Sequence, residues 1–530
     1  MRDHLVAVDV GTTSARAGIF DRQGQLLGKA RHPIRMRRGA DQHAEHSSED
    51  IWRATCLSVR EALHQSGLQA DRIAAIGFDA TCSLVVRDTA GKPLSVSVED
   101  EGSDADGWDT IVWLDHRAIP QADRLNAGGH PVLASSGGSL SPEMQIPKIM
   151  WLKENLPQRW AKTGFLFDLA DFLTWRASGS PSRSRCTLTA KWTYSARTEE
   201  GWNHDFLATA GLDDALERGS LPTSTLAVGS SVGALSPEAA AELGLDTGCV
   251  VAAGLIDAYA GALGVLGASA GSPELERNLA LIGGTSSCVV AFTRQALPGH
   301  SLWGPYYEAV FGNHFLVEGS QSATGALLDH MVRMHTAGGE PDTELHRRIV
   351  SRIAELRERE GVRLGEGLHI LPDFHGNRSP LADPRATGVI SGLTLDTSFD
   401  GLCRLYWRTC VSLVLGVRHI LETMETYGYR IETLHLAGGH VHNPLLVELC
   451  ADVTGRVVRV PDAGDAVLLG TAMAAAVAGG LHADLDVAGN AMDRGGSLHR
   501  PRPDLRNAYD RDYRRFLAMH RHRAELEAMA

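Results

Sequence analysis

Two turns of small residues carry the most conspicuous chemistry. Gly11, Thr12, Thr13 and Ser14 follow one apolar run, and Gly283, Gly284, Thr285 and Ser286 follow another in the second half of the chain. Such turns let backbone N–H groups approach phosphate oxygens, while the hydroxyls add donors without bulk. Neither has the pattern G-x-x-x-x-G-K-S/T or G-x-G-x-x-G, so neither is a P-loop or a Rossmann turn; a pair of ordinary hairpin turns is the bland alternative. Asp9 ends the first run, where a carboxylate can orient Mg²⁺ through its waters. Asp257 stands at a strand-to-helix junction between CVVAAGLI and AYAGALG. It is either an N-cap or a general base that takes a proton from an attacking hydroxyl.

The segment LHLAGGHVHNPLLVELCADVTGRVVRVPD reads as strand, turn, helix and strand. Asn443 before Pro444 is the expected N-cap, Gly455 the expected helix end, and the Gly438-Gly439 turn leaves room for a flat ring. The pairs His43/His46 and His440/His442 lack a further ligand at a supporting spacing, so no metal site is read there.

These residues need elements to hold them. LVAVDVGTTSARAGIFDRQGQLLGKARH reads as three strands joined by turns, SSEDIWRATCLSVREALHQSG as a helix capped by Ser47 or Ser48, and IAAIGFDA as a buried strand. KIMWLKENLPQRW has helical periodicity, whereas 100–107 and 178–185 are polar and loop-like. Gly, Pro and charge break the chain at 268–277, and LALIGGTSSCVVAF then resembles the opening hairpin. Either a domain is duplicated or common turn residues coincide.

At 530 residues the chain exceeds what one core usually supports, so two large domains are expected. An apolar share of 43% with 22% charged residues fits a soluble globular protein, and a net charge of -13 argues against generic attraction to nucleic acid or anionic membrane. Eight cysteines without a Cys-x-x-Cys pair read as reduced thiols of a cytoplasmic protein. The apolar stretch VVAAGLIDAYAGALGVLGASAG contains Asp257 and much Gly and Ala, so it reads as buried strand and helix rather than a membrane span.

DVGTTSARAGIFD, HAEHSSEDIW, IVWLDHRA, KIMWLKEN, GLIDAYAGALG, LIGGTSS, VEGSQSATG, HGNRSPLADPRATGVISGLTL and AGGHVHNPLLVELCADVTG occur in that order. The order resembles the FGGY carbohydrate kinases over nearly the whole chain. The resemblance implies an α/β fold of two actin-like, ribonuclease-H-type ATPase domains, with ATP and a small sugar meeting in an interdomain cleft. The domains are expected at 1–268, with sugar binding, the first phosphate turn and the catalytic Asp, and at 269–500, with nucleotide binding; an Arg-rich helical tail at 501–530 has no assigned role. By resemblance Asp257 matches the catalytic base and, with Asp9, the magnesium site. Gly11, Thr12, Thr13, Ser14, Gly284 and Thr285 match phosphate-turn positions, and Gly325, Gly438, Gly439 and Asn443 the nucleotide side.

Within the family, Thr81, Cys82 and Ser83 of FDATCSLVV look like the strand of D-ribulokinases. Asp115, Lys191 and Glu318 resemble sugar contacts, although by composition alone they could equally be surface or paired core charges. The implied reaction is ATP-dependent phosphorylation of D-ribulose. L-Ribulose, D-xylulose or ribitol as acceptor, or a catalytically silent sugar- and nucleotide-responsive protein, are the alternatives. No nucleic-acid or membrane partner is expected, and a homodimer is left open.

Overall fold

The opening residues pair as a hairpin: His4–Val10 and Ser14–Asp21 run antiparallel across the Gly11 turn, with Asp9 opposite Arg16, and Leu26–Pro33 adds a third strand. The computed structural model describes residues 2–39, 42–98, 107–297, 299–300, 302–462 and 464–529. Of the segment read as a loop at 100–107, all but Gly107 lies outside the described residues.

The chain forms two units. Residues 1–275, 292–317 and 463–494 make the first, and 276–291, 318–462 and 495–530 the second. Beyond the boundary expected at 268, residues 292–317 and 463–494 return to the first unit.

In the first unit, Ile73–Ala80 joins His4–Val10 in parallel, and Val250–Ala252 and Leu255–Ile256 join Ile73–Ala80, again in parallel. Ser231–Ala234 closes that edge antiparallel. Every residue of Ile73–Ala80 is buried, as befits a parallel strand covered on both faces, where apolar runs replace alternation. The helix Ser48–Ser66 packs against the hairpin strands; the Ser47 side chain accepts from the N–H of Asp50, and Gly67 ends the helix at φ 69°. A second sheet of five short strands carries Leu84–Asp88 between Thr110–Ile111 and Thr163–Asp168.

The helix Ala466–Ala478 lies late in the chain yet packs on the helix Asp257–Leu266. Small residues allow it: a Cβ on Gly264 would lie 1.9 Å from the carbonyl oxygen of Ala466, and one on Gly470 1.9 Å from that of Ala260. This contact is why 463–494 belong with the first unit.

The second unit repeats the hairpin logic. Asn278–Gly283 is antiparallel to Ser287–Thr293 and parallel to Thr433–Gly438, followed by Val457–Pro461 and Gly496–His499. The buried helix Phe399–Thr426 starts at Ser398, whose hydroxyl accepts from Gly401 at 3.0 Å. The tail is the helix Arg506–Glu527, pinned by ion pairs of Asp512 with Arg408 at 2.8 Å and Arg523 with Asp373 at 2.5 Å. Among the described residues no helix is long and apolar enough to cross a membrane; the apolar stretch around Asp257 resolves into short strands and a helix.

Gly264→Ala and Gly470→Ala should each cost about 1–3 kcal/mol, because backbone on both sides leaves the added methyl no room. Thermal melts should show an earlier unfolding transition; an unchanged transition in both variants would refute the close approach.

Candidate active site

Three parallel strands of the first unit end at one level. Val10 is opposite Ala80, and Ala80 is opposite Ile256, so Asp9, the Thr81 to Ser83 segment and Asp257 come to the same edge of the sheet. Ligand sites in open parallel sheets form at carboxyl ends of this kind.

Asp257 is the first residue of its helix, half-buried, and its Oδ1 accepts the N–H of Ala258 at 2.7 Å. The cap position falls on Ile256, which makes no side-chain cap bond. Asp257 therefore braces the adjacent peptide instead of capping two or three residues on.

Asp9 is 1% exposed and ion-paired with Arg16, its partner across the hairpin. Arg16 also reaches Asp465 at 3.1 Å, and Lys29 shares that carboxylate at 2.7 Å. Beside Asp9 in the sheet, Asp79 is fully buried and accepts the hydroxyl of Thr471. Burial lifts its carboxyl well above the usual range, with the charges of Asp257 and Asp465 adding to the lift and Thr471 and Arg16 opposing it. Arg16, Asp79, Asp465 and Thr471 were absent from the sequence reading. Arg16 alone had a legible signal there, since a hairpin closing at Gly11 puts it opposite Asp9.

The first phosphate turn closes with Gly11 N–H donating to the Ser14 carbonyl at 3.0 Å. A Cβ on Gly11 would meet only that oxygen, at 3.8 Å, so its face is open, and Thr13 is exposed. Thr12 Oγ1 accepts from Trp113 Nε1 at 2.9 Å. Ser14 differs from the expectation: it is buried, and its hydroxyl accepts from Arg31 at 2.8 Å, which ties it into the sheet rather than the turn.

The substrate candidates separate in the same way. The hydroxyls of Thr81 and Ser83 are buried and meet at 3.2 Å, and Ser83 also accepts from the Trp113 N–H at 3.1 Å. Of the three residues only Cys82 is half-exposed. Burial pushes its thiol up to about 12, opposed by Lys191 and Lys148, while Asp168 and Asp257 add to the rise. Lys191 is 9% exposed, with Nζ 6.0 Å from the Tyr259 ring centre. Asp115 is 0% exposed, and its carboxylate accepts from Arg117 Nε at 2.9 Å, from Nη2 at 2.8 Å and from the Ala44 N–H at 2.6 Å. Expected as a sugar contact, it is the anchor of Arg117, since Arg117 is buried beside it and needs a counter-charge.

In the second unit, Gly284 N–H donates to the Ser286 carbonyl at 2.8 Å, and the helix Gly325–Met334 starts on the same turn: Gly325 and Thr324 donate to the carbonyls of Gly284 and Thr285 at 3.0 and 2.9 Å. Gly438 pairs with Gly283, has φ +78°, and its Cβ would lie 2.3 Å from the Gly283 carbonyl oxygen, so only glycine fits. The outer face of Gly284 is open, the nearest atom to an added Cβ being 3.8 Å away. Asn443 caps the helix Pro444–Thr454, accepting from Leu445 at 3.1 Å, and its Nδ2 lies 3.5 Å from the Tyr406 hydroxyl. Gly284, Thr285, Gly325, Gly438 and Gly439 are thus gathered, with Asn443 one short turn away. Glu318 lies in the strand Phe315–Gln321 and is 8% exposed.

Among the described residues no three His, Cys, Asp or Glu side chains gather as a metal set. The oxygen chemistry of Asp9, Thr12 and Thr13 suits a hard cation held mainly by a nucleotide's phosphates and water.

Sequence comparison decides the family. The N-terminal domain of the FGGY family of carbohydrate kinases matches residues 4–264, and its C-terminal domain matches 279–479. The chain belongs to the FGGY family of carbohydrate kinases. A Homo sapiens protein named FGGY carbohydrate kinase domain-containing protein is 42% identical over 546 residues, 99% of this chain and 98% of its own length. A D-ribulokinase of Saccharomyces cerevisiae is 35% identical over 513 residues, 89% of this chain and 71% of its own. The crystal structure of xylulose kinase from Rhodospirillum rubrum matches with a TM-score of 0.77 at 21% identity, covering 99% of each chain. The fold is thus the two-domain, actin-like fold of this family, and the protein is a phosphotransferase acting on a carbohydrate with ATP as the family's donor.

One imidazole adjoins each small-residue turn of this FGGY kinase. His46 is fully buried near Thr12, and the ring of His440 lies against Gly283, where an added Cβ would be 2.2 Å from it. Burial pulls both down to about 4, with backbone contacts to Thr12 and Gly284 opposing. A folded value below the unfolded value of about 6.5 means stability that is complete above that pH and is lost as pH falls toward 4. Between pH 7 and pH 5 the denaturant midpoint of the unaltered protein should therefore fall relative to those of His46→Gln and His440→Gln, a comparison that cancels the opposite trend of the raised carboxyls of Asp79, Asp168 and Asp171. No difference in pH dependence between the unaltered protein and either variant would contradict neutral imidazoles.

Proposed function

We propose that the chain phosphorylates the terminal hydroxyl of D-ribulose, with Asp257 as the general base. The observation that carries this reading is that Asp257 and half-exposed Cys82 follow strands that end at one level, with the Lys191 helix packed on Leu255–Ile256 and Lys191 Nζ 6.0 Å from the Tyr259 ring. The 35% identity to a protein named D-ribulokinase supports the choice of sugar.

Each residue has a definable task. Asp257 accepts the proton of the attacking hydroxyl, and its bond to the Ala258 N–H fixes the direction of its carboxylate. Lys191 donates to hydroxyl or carbonyl oxygen of the acceptor, and Glu318 accepts from a hydroxyl. The open faces of Gly11 and Gly284, with Thr12, Thr13 and Thr285, supply donors to phosphate oxygens. Gly325, Gly438, Gly439 and Asn443 shape the nucleotide side. Mg²⁺ supplies charge neutralisation on the phosphates when bound, and Asp9 is the residue that would hold it through water. Arg16 and Lys29 pair with Asp465, which limits the negative charge where phosphates must come.

Asp257→Asn keeps size and the bond to Ala258 while removing the proton acceptor. Turnover should drop roughly 10²- to 10⁴-fold with little change in ATP affinity, measured as ADP release in a coupled assay. Near-normal turnover in a pure, folded sample would reject Asp257 as the base.

The sugar itself is tested by a panel of D-ribulose, L-ribulose, D-xylulose, L-xylulose, ribitol and glycerol. A site that hydrogen-bonds each hydroxyl rejects analogues that leave its buried groups unpaired, so D-ribulose should give the highest kcat/KM. A clear preference for another acceptor would remove D-ribulose and leave the kinase; no response to any polyol would favour a silent, ligand-responsive protein.

A further inference from the structure

Lys191 sits at the end of a seven-residue helix, Arg185–Lys191. A helix that short does not hold itself in water, because its nucleation cost exceeds what one or two turns return. Something outside it must set its position.

Asp171, in the first turn of the neighbouring helix Leu169–Ser178, is 1% exposed. One of its oxygens accepts the N–H of Ser184, the N-cap of the Lys191 helix, at 2.8 Å; the other accepts the hydroxyl of Thr187 at 2.6 Å. The carboxylate therefore grips the start of the helix at two points. Asp168, three residues earlier, accepts from Trp192 Nε1 at 3.4 Å just past the other end. It also accepts from Gln145 Nε2 at 3.0 Å, and the same amide donates to the Cys82 carbonyl at 3.0 Å. Both acids are fully desolvated. If only cohesion were needed, apolar side chains would serve at lower cost, whereas paired directional bonds fix a relative position.

We propose that Asp171 is a positioning residue for the phosphoryl acceptor: with Asp168 it sets the placement of Lys191 relative to Cys82. This rests on the reading of Lys191 as an acceptor contact. Neither acid touches substrate on this account; each acts through the Lys191 helix.

The test is steady-state kinetics of Asp171→Ala, Asp171→Asn, Thr187→Val and Lys191→Met, with D-ribulose and ATP varied in turn and circular dichroism confirming the fold. Asp171→Ala should raise KM for D-ribulose roughly tenfold or more, with KM for ATP within about twofold, because the displaced contact is on the acceptor side. Asp171→Asn, which can still accept from Ser184, should recover most of the loss, and Thr187→Val should show a smaller shift in the same direction. Were Asp171→Ala to fail to fold, Asp171→Asn and Thr187→Val would carry the measurement. An unchanged KM for D-ribulose in the folded Asp171 and Thr187 variants, beside a raised one in Lys191→Met, overturns the positioning role alone. An equal rise in both KM values also overturns it, since that marks general loosening. No effect of Lys191→Met on either parameter sinks the underlying reading of Lys191 and the proposal with it.

Discussion

The register of three parallel strands is the constraint on which the rest of the first unit depends. Hydrogen bonds in a parallel ladder are evenly spaced, so once His4–Val10, Ile73–Ala80 and Leu255–Ile256 pair, their ends cannot slip independently. A slip of one residue would turn Asp9 and Asp79 to the opposite face. The pairing brings residues from three distant stretches of chain to one edge. The helix Ala466–Ala478 then covers the helix that begins at Asp257, at a distance only Gly264 and Gly470 permit.

Gathering carboxylates creates an electrostatic problem, and each solution is visible. Asp9 is ion-paired with Arg16 and Asp465 with Arg16 and Lys29, while burial raises the carboxyl of Asp79. Asp257 is half-buried, and a backbone N–H on one oxygen fixes the direction of its carboxylate. The same logic explains Asp115 and Asp171, which are buried with full complements of donors and act on their neighbours rather than outward.

The second unit reaches its small-residue turn by the same hairpin with different reinforcement. In the first, the Thr12 hydroxyl is braced by Trp113. In the second, the backbone of Thr324 and Gly325 bonds directly to the turn, and glycine at 438 lets the adjacent strand end come within reach of Gly283.

Local signals were legible wherever they are set by near neighbours. The opening hairpin, the helix capped by Ser47, the Asn443 cap with Pro444 and Gly455, and the small-residue turns follow from turn and cap chemistry that operates over a few residues. So does the family, because its motifs are short and ordered. What sequence could not decide is which polar groups face outward. Ser14, Ser83 and Asp115 have the chemistry of ligand contacts, yet each is held by a partner that folding brings from elsewhere, Arg31, Trp113 or Ala44, while the Thr81 hydroxyl meets that of Ser83. Nor could it return 463–494 to the first unit, since helix packing depends on the shape of the partner surface. The sequence by itself determined the turns, the caps and the candidate base. Only the tertiary structure decided which buried charges pair, because desolvation and distance between remote segments, not residue type, set that outcome.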